Sequence, residues 1–296
     1  MERVAVVGGT GKMGRWFAKF FRDKGFQVVI SGRFPEKTAK VAEDIGVGYA
    51  SSNSGAVQNA DIVVVATPIE VTAEVILEVA NYMKKGSTLF DIASVKKGIV
   101  EALSKAQQRG IRTISVHPLF GPGARGVYGK GVAIIPVGND PELTRLISKL
   151  FEEYGAVVGV IDDAEAHDRI IASTLALPHF LNILFGKVLS TTNLEELRKF
   201  GGTTFSLQLL IAESVFSEDP GLYSSIQIKN DHFRGLLKAF IDSAEELSRI
   251  IRDGDAERFT EVFGEVRSFL SKDPAFKDSY SLFYKALEAI SVELKR

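Results

Sequence analysis

A glycine-rich turn between a strand pattern and a helix pattern constrains the fold of this chain more than any other feature. The β-branched run Val4–Val7 leads into Gly8 and then into residues 9–14, whose glycines follow the spacing G-x-G-x-x-G. Helical spacing of apolar residues continues to Lys24. Glycines let the backbone approach a pyrophosphate, and the first turn of a helix presents N–H groups to it. This pattern predicts that a dinucleotide is bound by Gly9, Thr10, Gly11, Lys12, Met13 and Gly14.

The residues after the second predicted strand indicate which dinucleotide is bound. Phe26–Ile30 is that strand, and Ser31, Gly32 and Arg33 follow it. An NAD site usually has an acidic residue here, about 20 residues past the glycines, for the ribose 2′-hydroxyl. A serine hydroxyl and an arginine guanidinium are instead suited to a 2′-phosphate. We therefore expect NADP rather than NAD, bound in part by Ser31 and Arg33.

Strand and helix patterns alternate over the first half of the chain and then stop. Further strands are predicted at 61–66, 88–92, 112–116, 132–137 and 156–161, and their apolar runs are typical of strands covered on both faces. From Ala164 onward only helical spacing is found, in segments at about 164–189, 193–216, 219–251, 255–271 and 274–294. The expected fold is an α/β, doubly wound, mostly parallel sheet in residues 1–162, followed by an all-α domain in residues 163–296.

Polar residues follow three of the predicted strands, and we expect them at the carboxyl edge of the sheet, where ligands bind in such folds. Thr67 and Pro68 follow one strand, and the pattern predicts a helix capped by Thr67, with Glu70 as its capping-box partner. Ser94 follows the next strand, and His117 follows a third. We expect Thr67 and Pro68 to lie against the cofactor and His117 to carry the chemistry.

Composition restricts the classes of partner. The 36 basic and 37 acidic residues nearly balance, which favours neither nucleic acid nor a membrane surface as a partner. The chain has no cysteine, which fits a cytoplasmic protein, and its four histidines do not cluster as metal ligands do. The apolar window Ile170–Leu189 contains Pro178, His179, Asn182 and other polar residues, so we expect a core or interface helix there and no membrane span.

The motifs together resemble the prephenate dehydrogenase family of tyrosine biosynthesis, including its arogenate-using members. The His-Pro-Leu-Phe-Gly-Pro segment at 117–122 is the most specific match. The other matching segments lie at 9–14, 91–96, 167–169, 177–179, 198–200 and 219–223. This resemblance implies a Rossmann domain followed by a helical domain that forms a homodimer. It implies hydride transfer from prephenate to the nicotinamide, with loss of CO₂, giving 4-hydroxyphenylpyruvate.

The resemblance also implies roles for individual residues. His117 would contact the 4-hydroxyl of the substrate and Ser94 would support it, and a neutral imidazole is well suited to accept that proton near pH 7. His179 and Tyr223 fall in matching segments and are expected to bind substrate. His167 and the residues after it are expected only to order the start of a helix.

In one respect the chain departs from the family pattern. Many members carry arginines that pair with a substrate carboxylate, where this chain has Ser206, Ser214 and Ser224. A dicarboxylate still needs a cation close by. Arg125 is our first candidate, because it lies eight residues past His117 in a glycine-rich segment. The others are Lys130, Lys96, Arg169 and Lys229.

Three alternative functions remain open at this point. The chain could prefer arogenate over prephenate as its substrate. It could be a deazaflavin-dependent NADP reductase, a class whose N-terminal segment resembles the first 35 residues or so of this chain. That resemblance does not explain the segment at 117–122. It could also be a non-catalytic NADP-binding regulator, since the fold alone does not imply activity. We expect a single-activity prephenate dehydrogenase, with no separate effector domain after residue 163.

Overall fold

An eight-stranded sheet organises the first part of the chain in the computed structural model, which describes residues 2–294. The strands are β1 (Arg3–Val7), β2 (Gln27–Ser31), β3 (Gly48–Tyr49), β4 (Ile62–Val65), β5 (Thr88–Asp91), β6 (Arg112–Pro118), β7 (Gly131–Pro136) and β8 (Val157–Val160). Their order across the sheet is β3-β2-β1-β4-β5-β6-β7-β8. Every neighbouring pair is parallel except β6 and β7. The predicted doubly wound, mostly parallel sheet is confirmed.

Helices cover both faces of this sheet, as its apolar strands require. They are α1 (Lys12–Asp23), α2 (Pro35–Ile45), α3 (Asn53–Val57), α4 (Ile69–Ala80), α5 (Ile99–Gln107) and α6 (Pro141–Glu152). The inner face of α1 carries Phe17, Phe20 and Phe21, which join the core with Val4, Val6 and other strand residues. This packing fixes the glycine turn between β1 and α1 at the carboxyl edge of the sheet.

The structure differs from the sequence prediction at three places in the sheet unit. The two-residue strand β3 and the single-turn helix α3 were not predicted, because elements this short carry no detectable periodicity. Strand β6 runs two residues further than predicted and includes His117, since antiparallel pairing aligns His117 with Ala133 of β7. The predicted Thr67 cap is wrong: α4 begins at Ile69 with Pro68 as its N-cap residue, and no side chain caps it.

The second half of the chain is helical, as predicted, but its helices are shorter. They are α7 (Ala164–Ile171), α8 (Leu177–Leu189), α9 (Leu194–Phe200), α10 (Thr203–Phe216), α11 (Pro220–Lys229), α12 (Asp231–Asp253), α13 (Ala256–Leu270) and α14 (Ser279–Leu294). A π-helical turn, Ala172–Ala176, joins α7 to α8, and a 3₁₀ turn, Pro274–Asp278, precedes α14. The breaks fall at polar caps and glycines. Asn230 separates α11 from α12, and its side-chain oxygen accepts from the His232 N–H.

The described chain divides into two compact units. The first contains the sheet and its helices up to Ala176, together with Gly221–His232. The second contains Leu177–Pro220 and the residues from Phe233 onward. Helix α7, the π-helical turn and nearly all of α11 therefore belong to the unit that carries the sheet.

One continuous helical stretch among the described residues is long and apolar enough to cross a membrane by length and composition alone. It is Ala164–Leu189, with a mean hydropathy of 1.3 in its most apolar window. Only 22% of that window is buried within the chain. Such a helix is also found in the cores and interfaces of soluble proteins, so this feature by itself is weak evidence of a membrane span.

Candidate active site

Glycines shape the turn between β1 and α1, each for a different reason. Gly8 has a φ of +83°, a conformation that favours glycine. A Cβ atom on Gly9 would lie 2.5 Å from the Ile30 side chain, and one on Gly14 would lie 2.3 Å from the Gly8 carbonyl oxygen. These three positions therefore need glycine for the turn itself and for close packing of the helix on the strand.

Gly11 is different, because the protein does not require a glycine there. A Cβ atom on Gly11 would meet nothing closer than the Gly8 carbonyl oxygen at 3.4 Å, which is an ordinary contact. Gly11 is exposed and is the N-cap residue of α1, directly before Lys12 and Met13 in the first helical turn. The missing side chain leaves room for a ligand to approach the helix N-terminus, as a pyrophosphate does in dinucleotide sites. The residues present therefore fit a dinucleotide.

The carboxyl end of β2 packs against this turn. The Ser31 carbonyl oxygen accepts hydrogen bonds from the N–H groups of Gly8 and Gly9. The Ser31 side chain is fully buried, and its hydroxyl donates to Asn53 Oδ1 at 2.9 Å. The Ser31 hydroxyl is therefore directed into the protein, whereas Arg33 is exposed beside the turn. Of the two residues expected at a 2′-phosphate, Arg33 has the accessible side chain.

Thr67 and Pro68 complete the same edge from β4. The space beside Gly8 is bounded by the Ala66 carbonyl group and the Thr67 methyl group. The Thr67 hydroxyl is hydrogen-bonded to the Thr72 hydroxyl at 3.0 Å, and Thr72 also donates to the Pro68 carbonyl oxygen. The structure thus brings together the glycine turn, the Ser31 loop and the Thr67 segment.

His117 lies at the end of β6, at the same carboxyl edge of the sheet, and is 4% exposed. Its Nδ1 atom lies 2.9 Å from Nε2 of His167 in α7. His167 in turn places its Nδ1 2.8 Å from Oδ1 of Asp168. The carboxylate of Asp168 also accepts the backbone N–H groups of Lys96 and Lys97, at 2.9 and 3.0 Å.

This chain of contacts assigns the protons on both imidazoles. A carboxylate only accepts hydrogen bonds, so Nδ1 of His167 carries the proton that Asp168 receives. Nε2 of a neutral His167 is then an acceptor, and the proton between the rings belongs to Nδ1 of His117. Nε2 of His117 is left with a lone pair. The arrangement fits a general base whose tautomer is set by the groups behind it.

Electrostatics keep the same imidazole neutral. Burial lowers the pKa of His117 well below its ordinary value of 6.5, and the positive charge of Lys96 and the neighbouring His167 lower it further. Burial also lowers the pKa of His167, against the opposing effect of its hydrogen bond to Asp168. A neutral His117 can accept a proton throughout the neutral pH range.

Ser94 lies in the loop between β5 and α5, and it is partly buried. That loop follows β5, the strand next to β6, and Asp91 of β5 aligns with Ser115 of β6. Asp168 fixes the loop through the backbone of Lys96 and Lys97, two and three residues past Ser94. The same carboxylate therefore ties down the Ser94 loop and, through His167, the imidazole of His117.

Arg125 lies in the segment between β6 and β7, in different surroundings. It is exposed and lines a groove of about 470 Å³ against α1, together with Trp16, Lys19, Lys24 and Tyr128. Trp16 holds this segment in place, since its indole N–H donates to the Ala124 carbonyl oxygen at 2.7 Å and its ring lies 4.9 Å from Phe120.

The two remaining substrate-binding candidates belong to different compact units. Tyr223 is partly buried in α11, in the unit that carries the sheet. His179 is partly buried in α8, in the second unit, and burial lowers its pKa. Among residues 2–290, whose side chains the structure describes, no group of three or more His, Cys, Asp or Glu is arranged to hold a metal ion.

Sequence reasoning underestimated His167, Asp168 and Lys96. The pair at 167–168 was expected only to order a helix start, a task that Asp163 performs by capping α7 at the Ala166 N–H. The only sign of this role in the sequence was that a histidine and an aspartate are adjacent at 167–168, a pair that can hydrogen-bond to each other. What the sequence could not provide was the contact between His117 and His167, which lie 50 residues apart in the chain.

Comparisons with known proteins agree with a sheet-containing nucleotide-binding part followed by a helical part. The model of the prephenate dehydrogenase nucleotide-binding domain matches residues 17–160. The model of the prephenate dehydrogenase dimerization domain matches residues 163–265. The two matches follow each other along the chain and cover most of the alternating part and most of the helical part.

Individual relatives carry related names. The Methanocaldococcus jannaschii protein named "Probable arogenate/prephenate dehydrogenase" is 32% identical over 297 residues, covering 99% of this chain and 66% of that protein. The T-protein of Enterobacter agglomerans is 26% identical, covering 91% of this chain and 68% of its own length. The chain thus spans about two thirds of the length of these relatives. The crystal structure of prephenate dehydrogenase from A. aeolicus with hydroxyphenyl propionate and NAD+ has a TM-score of 0.72 and 22% identity, over 92% of this chain and 99% of that one.

Proposed function

Because the chain belongs to the prephenate dehydrogenase family, we propose that it oxidatively decarboxylates prephenate to 4-hydroxyphenylpyruvate, with hydride transfer to NADP, in tyrosine biosynthesis. One observation carries the proposal. His117 ends a strand at the ligand-binding edge of the sheet, and the hydrogen bonds through His167 to Asp168 leave its Nε2 able to accept a proton. An alcohol that gives up a hydride must also lose its hydroxyl proton, so the reaction needs such a group.

In the proposed reaction, His117 is the only group that accepts and returns a proton. A bound nicotinamide supplies the hydride acceptor. His117 Nε2 takes the 4-hydroxyl proton as the hydride leaves the carbinol carbon. The electron pair of the ring-to-carboxylate bond then completes the aromatic ring as CO₂ departs, and the phenolate oxygen recovers the proton from His117. Ser94, in the loop after β5, is the residue we propose to hold the hydroxyl group during these steps.

The preference for NADP rests on Arg33. It is exposed next to the glycine turn, the residues directly after β2 (Gly32 and Arg33) include no acid, and a guanidinium binds a phosphate with two parallel hydrogen bonds. Replacing Arg33 by serine should lower kcat/KM for NADP by about 10- to 100-fold, as expected for a lost charged hydrogen bond, and leave the value for NAD nearly unchanged. A wild-type enzyme with the larger kcat/KM for NAD would refute the preference.

The two carboxylates of the substrate require cations or hydrogen-bond donors close by. We propose Arg125, His179 and Tyr223 as substrate-binding residues, with Arg125 as the cation. The match to a dimerization domain supports assembly as a homodimer. Exposed apolar side chains along α13, such as Phe259, Phe263 and Val266, are consistent with that assembly. The absence of cysteine fits work in the cytoplasm.

Arogenate is the alternative substrate within the same family. It differs from prephenate in the side chain, where an amino group replaces the keto group, so both can undergo the same chemistry at the ring. The test is an absorbance assay at 340 nm, in which each substrate is paired with NADP and with NAD. The proposal expects the largest kcat/KM for prephenate with NADP, and a larger value for arogenate would reassign the substrate.

A variant of His117 tests whether the chain is an enzyme of this kind at all. His117→Asn should lower kcat by about 10²- to 10⁴-fold, the usual contribution of a general base, and leave the dissociation constant of NADP unchanged. A non-catalytic regulator would bind NADP but form no NADPH with prephenate in the wild-type protein. A deazaflavin-dependent reductase would oxidise NADPH only with a deazaflavin, and it would not account for the match over the helical half.

A further inference from the structure

A fully buried ion pair lies directly behind His117, and the chemistry proposed above does not use it. Lys96 and Asp91 are both 0% exposed, and the Lys96 ammonium donates to Asp91 Oδ2 at 2.7 Å. Buried ion pairs are costly to desolvate and contribute little net stability compared with apolar side chains. Stability therefore does not explain why this ion pair lies behind the candidate base.

The contacts of this pair converge on the backbone and on the loop that hold His117 and Ser94. The Lys96 ammonium also donates to the Val116 carbonyl oxygen at 2.9 Å, in the residue directly before His117. Asp91 accepts from the Ser115 hydroxyl, at 2.5 Å, and from the Ala93 N–H, at 2.8 Å. The pair thus links the end of β6 to the loop that begins after β5.

We propose that Lys96 is a positioning residue for His117: its ammonium fixes the end of β6 through the Val116 carbonyl and places a positive charge behind the proton-accepting imidazole. This inference rests on the proposed role of His117 as the base. A cation behind the ring disfavours a second positive charge on the imidazole and so keeps it ready to accept a proton. The positive charge of Lys96 acts in the same direction as burial on the pKa of His117.

The pKa of His117 depends on the charged and titratable groups that surround it in the sheet unit. Lys96 and Asp91 approach from β5 and its loop, and His167 and Asp168 approach from α7. The facing residue on β7 is Ala133, which does not titrate. Burial lowers the pKa of Lys96, and the charge and hydrogen bond of Asp91 oppose that effect and favour the ammonium form. Asp91 therefore supports the charge of Lys96, and Lys96 is the group that acts on His117.

The direct test is a titration of the histidine side chains by NMR, without substrate. The chain has four histidines, and the signal of His117 is the one lost in His117→Asn. Lys96→Met alone would leave the Asp91 carboxylate buried without its partner, so the main variant is Lys96→Met combined with Asp91→Asn, which removes both charges. We expect the pKa of His117 to rise by about one unit in this double variant, the order of effect of one nearby charge, because Lys96 acts on His117 directly whereas Asp91 acts on Lys96 and His167. The acidic limb of kcat/KM for prephenate should move to higher pH by the same amount.

The matched control is Lys84→Met, which removes an ion pair with Asp61 before the start of β5, at the opposite edge of the sheet. It should leave the His117 titration and the pH profile unchanged. A folded double variant whose His117 titrates as in the wild type would overturn the proposal. If the double variant does not fold, the ¹⁵N signal of Lys96 in the wild-type protein decides, since a neutral amine at pH 7 would overturn the proposal and an ammonium would support it. Because these titrations use no substrate, they stand even if the protein fails to oxidise prephenate.

Discussion

His167 offers the sharpest test of how the candidate base is arranged, because two substitutions there separate hydrogen bonding from packing. In the wild-type protein, Nδ1 of His117 lies 2.9 Å from its acceptor, Nε2 of His167. His167→Leu fills the space of the imidazole but offers no acceptor to that Nδ1–H group. His167→Gln can accept that proton with its side-chain oxygen and donate to Asp168 with its amide group, as the imidazole does. The two variants therefore differ mainly in whether the Nδ1–H of His117 has a partner.

The size of the effect follows from the cost of a buried, unpaired N–H group, about 1–3 kcal/mol. In His167→Leu, the tautomer of His117 with its proton on Nδ1 bears that cost. The ring shifts to the other tautomer, in which Nε2 carries the proton and cannot accept one. The population of the reactive tautomer, and with it kcat/KM, should fall by about 5- to 150-fold. His167→Gln should stay within about fivefold of the wild type, a difference below roughly 1 kcal/mol.

Two measurements check this prediction. Steady-state kinetics with prephenate and NADP give kcat/KM for each variant, and the ¹⁵N shifts of His117 report which ring nitrogen carries the proton. The expected result is a proton on Nδ1 in the wild type and in His167→Gln, and on Nε2 in His167→Leu. Equal kcat/KM values for the leucine and glutamine variants, with the proton on Nδ1 in both, would refute the reasoning that His167 sets the tautomer.

Three further predictions concern the cofactor turn, the pH dependence of stability and the substrate cation. Gly11→Ala should keep the wild-type Tm and weaken NADP binding by about tenfold or more, whereas Gly14→Ala should lower the Tm, because its Cβ would lie 2.3 Å from the Gly8 carbonyl oxygen. The pKa of His117 is held well below its ordinary 6.5, so the unfolded chain binds more protons near and below pH 6.5, and the free energy of unfolding should fall as the pH drops through 6.5. Thermal unfolding of wild type and His117→Gln checks this, with a shallower decline in the variant. Arg125→Ala should raise KM for prephenate by about tenfold or more with little change in kcat, and an unchanged KM would remove it from the site.

Much of the sheet unit could be predicted because its signals are local. The run before Gly8 is short and β-branched, the glycine spacing follows at once, and α2 has proline at its first position and Gly46 at its end. Each of these patterns depends on neighbours in the sequence. The carboxyl-edge position of His117 was also predictable, because it follows from a strand ending and from the parallel order of the sheet. The antiparallel pairing that extends β6 to Pro118 was not, since it depends on β7.

In the helical half, local patterns predicted less of the structure. Apolar spacing predicted helices over most of it, but it could not place breaks at Asn230 or in the π-helical turn, because helical periodicity continues across both. Nor could it assign α11 to the sheet unit. Single polar groups also join this segment to the sheet unit: the amide of Asn230, directly after α11, donates to the Asp168 carbonyl oxygen at 2.7 Å.

Asp168 explains why the site was only partly visible in the sequence. Its carboxylate receives three N–H groups, two from the backbone of the Ser94 loop and one from His167. Backbone donors carry no residue identity, so no sequence pattern records that the loop after β5 is held by a residue in α7. Only an acceptor can fill this position, because a group that donates would meet donors on every side. The carboxylate therefore sets the path of that loop and the tautomer of His117 at once, and a change at Asp168 would disturb both.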